Sequence, residues 1–392
     1  MIPQGWQEKT LVELCNIEIG KTPSRSNIKF WDKTRSTNNT WLSIADLNNT
    51  QNKKVFSSKE QISDLATQYM KLVKEGTLLL SFKLTIGRVA FAGKDLYTNE
   101  AIAQLPIKNE QKIDKHYLYY YLQYFDYEEL QKGDVKVKGK TLNKEKLKGL
   151  PVCYPPLPEQ ERIVAKLDKA FEAIDKVKAN AEQNLNNAKE LFNDAQTTIF
   201  NEPFEEKKLG DICTLYQGLA INMKTKHLLC DKSTLPLLRI KDLKENCETQ
   251  YVVEEGFPKN ALVNESDIIY TRTGSLGLVF RGRKGVLHNN SFKVVPQKNI
   301  SNDYLFEWLQ NPIFNKKIVS LAQRAAQPDI THTLFKQQII NVPPFEIQLK
   351  KVKQINVIRE YINTLNQIYT KKIKDLDELK QSILQKAFRG EL

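Results

Sequence analysis

The amino-acid sequence contains an internal repeat that returns 198 positions after it begins. Nine positions of the opening segment face identical or chemically similar residues in the second half. The first members are Trp6, Glu8, Lys9, Leu11, Glu13, Leu14, Cys15, Ile17 and Gly20, and their counterparts are Phe204, Glu206, Lys207, Leu209, Asp211, Ile212, Cys213, Leu215 and Gly218. The matches stay collinear as far as two proline pairs, Pro155-Pro156 and Pro343-Pro344. The chain therefore consists of two copies of one structural unit of roughly 190 residues.

Each copy divides into two parts of different character. The first parts, 1–155 and 203–343, carry short apolar runs separated by glycine, asparagine and proline, which predicts two similar strand-rich globular domains. The second parts, 159–200 and 347–389, contain neither proline nor glycine, which favours one long helix in each. The predicted fold class is α/β (α+β). The predicted segments are, in order, 1–155, 156–202, 203–343 and 344–392.

Apolar residues recur along both helical segments at spacings of three and four, a pattern typical of helices that pair side by side. A doubled spacing of four at Ala181 is a stutter that locally unwinds a supercoil. Each segment spans roughly 60 Å at 1.5 Å per residue, which is longer than one small domain covers. We therefore predict an antiparallel coiled coil; the alternative is that each helix packs on its own domain. The predicted seam residues are Ile163, Leu167, Ile174, Leu185, Phe192, Ile355, Ile362, Leu365, Leu376, Leu379 and Ile383.

The charge of the chain points to a polyanionic partner. Lys plus Arg number 59 against 46 Asp plus Glu, which gives a formal net charge of +13. No apolar run reaches the ~18 residues of a membrane span, and the opening segment lacks the basic and apolar blocks of a secretory signal. The five cysteines form no CxxC pair, which disfavours a zinc ribbon and a disulfide framework. We therefore expect a cytoplasmic protein with reduced thiols and no membrane partner.

Three fragments approach catalytic motifs without completing one. Residues 133–141 place five residues between their glycines, where a phosphate loop has four. Val342 interrupts the Asn-Pro-Pro-aromatic loop of amino-methyltransferases, and Pro328-Asp329 has no acidic-x-Lys partner outside the second helical segment. None of the four histidines has a neighbouring ligand at metal-binding spacing. We therefore expect no catalytic residues, no metal and no cofactor.

Basic residues concentrate in the irregular parts of both domains, interleaved with amide and aromatic side chains. Lys and Arg neutralise phosphates, and Arg also donates paired hydrogen bonds to a guanine edge. A solvated surface position is the simpler interpretation of any single lysine, but the clusters at 136–140 and 281–284 repel themselves unless a counter-charge is near. The candidate DNA-binding residues are Lys21, Arg25, Lys29, Arg35, Lys83, Arg88, Lys136, Lys138, Lys140, Lys224, Lys226, Arg272, Arg281, Arg283, Lys284 and Arg324.

The junction between the first domain and its helix resembles that of the specificity subunit of type I restriction-modification enzymes. The resemblance lies in the segment PPLPEQERIVAKLD at 155–168 and in the ending LQKAFRGEL at 384–392. The second junction reads PPFEIQ and lacks the Glu-Gln pair of the first. The order of domain, helix, domain and helix is similar to that family over essentially the whole chain.

The resemblance implies a non-catalytic subunit that reads a split DNA sequence. Each globular domain would be a target recognition domain for one half-site, and the helices would act as a spacer. The implied partners are double-stranded DNA, two methylation subunits, and restriction subunits that join through the complex. Two rival classes remain open. One is a methyltransferase or nuclease with a fused recognition domain, and the other is a coiled-coil adaptor that binds proteins alone.

Overall fold

The structure is a computed structural model that describes residues 3–131 and 140–392. The chain forms two compact units: the first combines Met1–Asn180 with Lys372–Leu392, and the second is Ala181–Lys371. The C-terminal segment therefore belongs to the unit that is built around the N-terminal domain. Within the described ranges, no helix combines the length and the apolar character that crossing a membrane requires.

The globular part of the first unit consists of short strands and helices. Its strands are β1 (Gln7–Thr10), β2 (Glu18–Ile19), β3 (Thr40–Leu42), β4 (Thr50–Gln51), β5 (Lys54–Val55), β6 (Glu60–Gln61), β7 (Leu78–Ser81), β8 (Lys83–Leu84), β9 (Val89–Ala92), β10 (Tyr97–Thr98), β11 (Ile102–Leu105), β12 (Lys140–Thr141) and β13 (Pro151–Tyr154). Its helices are α1 (Leu11–Leu14), α2 (Asp64–Thr67), α3 (Lys115–Tyr124), α4 (Glu128–Gln131) and α5 (Lys144–Lys148). Two 3₁₀ turns lie at Ile28–Phe30 and Ile44–Asn48.

A six-stranded sheet with the order β2-β11-β7-β9-β5-β4 organises the first unit. Strand β7 pairs antiparallel with both β11 and β9. Every residue of these three strands is buried, because one face packs on a cluster that includes Tyr117 and the other on a cluster around Leu42 and Val55. Coverage of both faces explains why the strands read as continuous apolar runs instead of alternating with polar residues.

One long helix follows each globular domain. Helix α6 is Leu157–Phe200, and helix α12 is Phe345–Phe388. Each has 44 residues and begins directly after a proline pair. Proline disfavours helical backbone in the residue before it, so the pair ends the preceding strand and sets the helix start. The second helix therefore begins at the same place in the repeat as the first.

The globular part of the second unit repeats this plan. Its strands are β14 (Glu205–Lys208), β15 (Cys213–Gln217), β16 (Leu229–Cys230), β17 (Leu235–Leu238), β18 (Tyr251–Val252), β19 (Leu262–Val263), β20 (Ile268–Thr271), β21 (Val279–Phe280), β22 (Gly285–Leu287), β23 (Ser291–Pro296) and β24 (Ile339–Val342). Its helices are α7 (Leu209–Ile212), α8 (Ile240–Glu245), α9 (Asn302–Leu309), α10 (Pro312–Ala322) and α11 (His332–Lys336), followed by α12 (Phe345–Phe388). Two 3₁₀ turns lie at Lys226–Leu228 and Lys259–Ala261.

The pairing of the central and terminal strands in the second unit matches that in the first. Strand β20 pairs antiparallel with β23 and β21, as β7 does with β11 and β9. The terminal strands of each globular part also pair antiparallel with each other, β1 with β13 and β14 with β24. Tyr270, Phe292 and Phe335 form a fully buried ring cluster beside the central strands. The repeat seen in the sequence is therefore a repeat of topology.

The two long helices pack antiparallel in each unit. In the first unit, Asp175 pairs with Lys380 and Lys178 pairs with Asp377. Residue numbers along α12 therefore fall as those along α6 rise. In the second unit, the Arg359 guanidinium lies 5.5 Å from the Phe192 ring centroid, and Lys351 reaches the Ile199 carbonyl. These contacts confirm the predicted fold class, in which two similar α/β domains accompany a pair of antiparallel long helices.

The predicted seam follows the observed burial except at one position. Ile163, Leu167, Ile174, Ile355 and Ile362 are buried, and Leu185, Phe192, Leu365, Leu376 and Ile383 are partly buried. The assignment of Leu379 to the seam is wrong, because its side chain is 46% exposed. A straight helix drifts about 20° per heptad against a strict seven-residue repeat. The buried stripe therefore moves on by one residue, to Lys380 and Leu384, before the helix ends.

Candidate nucleic-acid interface

A glutamine in the first turn of each long helix holds that helix to its own globular domain. Gln160 is fully buried, and its Oε1 accepts a 2.9 Å hydrogen bond from the Asp114 amide. Its Nε2 donates to the carbonyls of Lys112 and Pro155 at 2.9 and 2.8 Å. A buried amide with both N–H donors and its oxygen hydrogen-bonded fixes one orientation of the helix against the domain.

Gln348 makes the equivalent set of bonds in the second unit. Its Oε1 accepts from the Ser301 amide at 2.8 Å, and its Nε2 donates to the Asn299 and Pro343 carbonyls at 3.2 and 2.9 Å. The second junction lacks the Glu-Gln pair, but it keeps the glutamine. The sequence analysis did not identify either glutamine as a link between helix and domain. Gln160 and Gln348 nevertheless follow their proline pairs at the same spacing.

A loop between two central strands has the same hydrogen-bonded frame in both domains. In the first, Ser81 Oγ donates to the Thr85 carbonyl at 2.6 Å and accepts from the Arg88 amide at 3.0 Å. The Gly87 amide closes the loop on the Ser81 carbonyl at 3.0 Å. Gly87 has φ +86°, a left-handed conformation that suits glycine.

The second domain builds its loop with the corresponding residues. Thr271 Oγ1 donates to the Ser275 carbonyl at 2.5 Å and accepts from the Leu278 amide at 2.8 Å. The Gly277 amide donates to the Thr271 carbonyl at 3.0 Å, and Gly277 has φ +74°. We call residues 81–87 and 271–277 the frame loops. Their frames agree, but their tips differ, since one reads Lys83-Leu84-Thr85 and the other Thr273-Gly274-Ser275.

Several predicted DNA-binding arginines of the first domain are occupied within the chain. The Arg25 guanidinium lies 3.9 Å from the Trp31 ring centroid and donates to both carboxylate oxygens of Glu60, at 2.5 and 3.0 Å. Arg35 donates to the carbonyls of Lys59 and Ser58 at 2.9 and 3.1 Å. These arginines brace the loop that carries them, so their donors are only partly available to a phosphate.

The remaining candidates of the first domain differ in exposure. Arg88 is partly buried and donates to the Ile44 carbonyl at 3.2 Å. Lys83 lies at the tip of its frame loop, with its ammonium 5.3 Å from the Phe82 ring centroid. Lys140 belongs to β12, which pairs antiparallel with β8. The candidates that lie outside the described residues are Lys136 and Lys138.

Two arginines of the second domain also have acidic partners. Arg272 Nε donates to Asp329 at 2.8 Å, and Nη1 donates to Gln217 at 3.1 Å. Arg281 pairs with Asp303, and its guanidinium lies 4.1 Å from the Phe306 ring centroid. Both are therefore held in place by side chains of their own domain.

The basic cluster at 281–284 is largely neutralised by local acceptors. Arg283 is 15% exposed at its side chain. It donates to Asn246 Oδ1 at 2.7 Å and to the Cys247 carbonyl at 3.1 Å. Lys284 is exposed and forms no ion pair with the described residues. The like-charge repulsion expected from the sequence is thus relieved inside the domain, and Lys284 is the cation of this cluster left for an outside partner.

A group of predicted cations faces solvent without an ion pair to the described part of the chain. These side chains can meet phosphates without first breaking a bond within the protein. The group, which we call the free cations, comprises Lys21, Lys29, Lys224, Lys226, Lys284 and Arg324.

The titratable side chains of both domains show few features of acid–base or nucleophilic groups. Burial raises the pKa of the Cys15 and Cys213 thiols to about 12, and that of Cys153 to about 11. Burial also lowers the pKa of His116 and His332, which favours their neutral forms. In residues 3–131 and 140–392, no group of three His, Cys, Asp or Glu side chains is arranged to hold a metal.

A family model described as "Type I restriction modification DNA specificity domain" matches residues 3–187 and 201–376. The chain belongs to this family. Its function is accordingly DNA specificity in a type I restriction-modification system. The two matched segments correspond to the two copies of the sequence repeat, so the family module occurs twice.

Relatives of this family align along most of the chain. The MjaIX specificity subunit of a type I restriction enzyme from Methanocaldococcus jannaschii is 24% identical over 100% of this chain and 94% of its own length. The EcoBI specificity subunit from Escherichia coli is 22% identical, over 83% of this chain and 77% of its own.

Solved structures of the family share the fold. A chain from a study of complex assembly and conformational transition of the type I R-M system has a TM-score of 0.78 at 18% identity, over 100% of both chains. The HsdS subunit from Thermoanaerobacter tengcongensis has a TM-score of 0.54 at 17% identity, over 100% of this chain and 98% of that one. The repeated architecture therefore persists where few residues are identical.

Proposed function

We propose that this specificity subunit reads a bipartite DNA target, with one globular domain for each half-site and an unread spacer between them. The observation that carries the proposal is the duplicated module: two domains share a frame but differ in the residues at their loop tips. A constant frame with variable tips is what recognition of two different base sequences requires. Double-stranded DNA is then the direct partner.

The free cations supply the contacts that do not depend on sequence. Six exposed side chains distributed over both domains can neutralise phosphates and position the duplex. The arginines paired with Glu60, Asp303 and Asp329 are pre-oriented by those partners, and we assign them to loop stability first.

We further propose that the chain is non-catalytic and acts in the cytoplasm through partner subunits. The raised pKa values of the buried Cys15 and Cys213 thiols keep both protonated, which favours this over an enzyme with a cysteine nucleophile. Two methylation subunits would dock partly on the outward faces of the long helices, where Arg162, Lys166 and Glu172 are exposed. Restriction subunits would join through the complex.

The deciding experiment is reconstitution. The purified chain should bind duplex DNA without methylating or cutting it, and methylation at a split site should begin when the methylation subunit is added. Methylation or cleavage by the chain alone, lost on a point mutation in this chain, would overturn the non-catalytic assignment. Absence of any sequence preference from the reconstituted complex would overturn the proposed recognition role.

A further inference from the structure

Leu84 at the tip of the first frame loop has an unfavourable backbone conformation. Its φ is +62°, the left-handed region that a leucine rarely occupies because Cβ approaches the backbone. The side chain is 66% exposed, so burial of its apolar surface compensates little of that strain. The corresponding loop of the second domain shows the relaxed solution, since Gly274 lies there with φ +73°.

The fold therefore does not require leucine at this position. The frame bonds around it are made by Ser81, Thr85 and Gly87, and the same bonds form in the second domain around a glycine tip. Strained residues that persist in a stable frame are found mainly at functional sites. An exposed apolar side chain held this way is available to a partner outside the domain.

The charges around Leu84 favour nucleic acid as that partner. Lys83 precedes it in the loop. Arg88 directly follows the loop, and its amide donates to Ser81 Oγ. An apolar side chain set among basic residues can approach a base edge while the neighbouring cations meet the phosphates.

We propose that Leu84 is a specificity-determining residue that contacts the C5 methyl group of a thymine in the half-site read by the first domain. The proposal rests on the proposed recognition function and deepens it. In the major groove the thymine methyl is the apolar group that distinguishes one base pair from the others, and leucine offers no hydrogen bond to any other base-edge group. The glycine at the same position of the second domain makes no such contact, so the two tips would read different bases.

The test compares the full chain with Leu84→Gly and Leu84→Asn in complex with the methylation subunit. Glycine and asparagine both tolerate left-handed backbone, so the thermal midpoint of each variant should be no lower than that of the parent.

Selection from a pool of randomised duplexes first defines the half-site of the parent complex. Both variants should then lose preference at one T·A pair and bind the selected duplex about tenfold more weakly, since one lost base contact costs on that order. Leu65→Ala, an exposed leucine of the same domain, should leave the selected sequence unchanged.

Replacing that thymine by uracil removes the methyl group alone. The parent complex should bind the uracil duplex about fourfold more weakly, the effect of one buried methyl, whereas Leu84→Gly should bind both duplexes equally. The Leu84 assignment would be overturned if uracil weakened binding by the parent and by Leu84→Gly to the same extent. It would also be overturned if the variants selected the same sequence as the parent. A parent complex that selects no sequence would instead overturn the proposed function on which the assignment rests.

Discussion

Phe388 lies edge-on against Tyr117, with ring centroids 5.4 Å apart, although 271 positions separate the two residues in the sequence. Phe388 is the last residue of α12, and it is 5% exposed in the core of the first unit. Phe200, the last residue of α6, makes the same edge-on contact with Tyr304 at 5.4 Å in the second unit. The end of each long helix therefore completes the core of the domain that belongs to the other copy of the repeat.

Removing the Phe388 ring should destabilise the first unit selectively. Phe388→Ala should lower its free energy of unfolding by about 3–5 kcal/mol, because a cavity replaces a ring that contacts Tyr117, Tyr121 and Tyr124. Hydrogen exchange should show lost amide protection in α3 and retained protection in α9. Phe345→Ala, at the exposed start of the same helix, is the matched control. Equal loss of protection in both units would contradict the assignment.

The free cations should account for part of the salt dependence of DNA binding. Each phosphate contact contributes about −0.9 to the slope of log affinity against log salt. Replacing Lys224, Lys226 and Lys284 by alanine should make the slope shallower by up to about 2.7, in a filter-binding or anisotropy titration. Arg283→Ala should act mainly by lowering stability, since Arg283 is bonded inside the domain. A triple variant with an unchanged slope would remove these lysines from the interface.

Asp242 should give the second domain a stability that depends on pH. Burial alone raises its pKa, but hydrogen bonds from Arg239 and Thr249 outweigh burial and hold the pKa below its usual value. A carboxyl whose pKa is lowered by folding stabilises the fold fully at pH values above its unfolded-state pKa of about 3.9. This stabilisation is lost as the pH falls through the lowered pKa of the folded state. Asp242→Asn should therefore lower stability by on the order of 2 kcal/mol at pH 7, with a smaller difference near pH 3. Exposed Asp231→Asn is the control, and a difference that did not shrink in acid would refute the role.

Exchange of one domain should alter one half-site. Replacing residues 203–343 with the corresponding domain of a relative should change one half of the methylated sequence and leave the other half unchanged. The reason is that each domain has its own frame loop and its own core. Sequencing of methylated DNA from cells that carry the hybrid chain and a methylation subunit measures the outcome. A change in both halves would contradict independent reading.

A longer first helix should alter the spacer and nothing else. Four residues inserted after Ala181 lengthen α6 by about 6 Å at 1.5 Å per residue. The stutter at this position shows that a four-residue step fits the helix pattern. We expect a longer unread spacer with both half-sites retained, and the same methylation mapping tests it. Altered bases in either half-site would show that the helices do more than set the gap.

The sequence by itself determined the features that depend on local pattern. The repeat, the two long helices and most of the seam follow from the spacing of apolar residues and from the proline pairs, because helix periodicity and proline geometry act over a few residues. The predicted seam departs from the observed burial only at Leu379, where the small angular drift of the helix against a seven-residue repeat had accumulated over several heptads. The equivalence of Gln160 and Gln348 was also present in the spacing, but its meaning required the carbonyls that these side chains meet.

Only the tertiary structure decided which side chains are available to a partner. Arg281 and Arg283 were indistinguishable from Lys284 in the sequence, yet their acceptors lie 22 residues along the chain at Asp303 and 37 residues back at Asn246. The strain at Leu84 and the place of Phe388 in the first core likewise arise from distant segments brought together. Hydrophobic periodicity is read from neighbours in sequence, whereas the partners of a charge and the environment of a loop tip are set by contacts that exist only after folding.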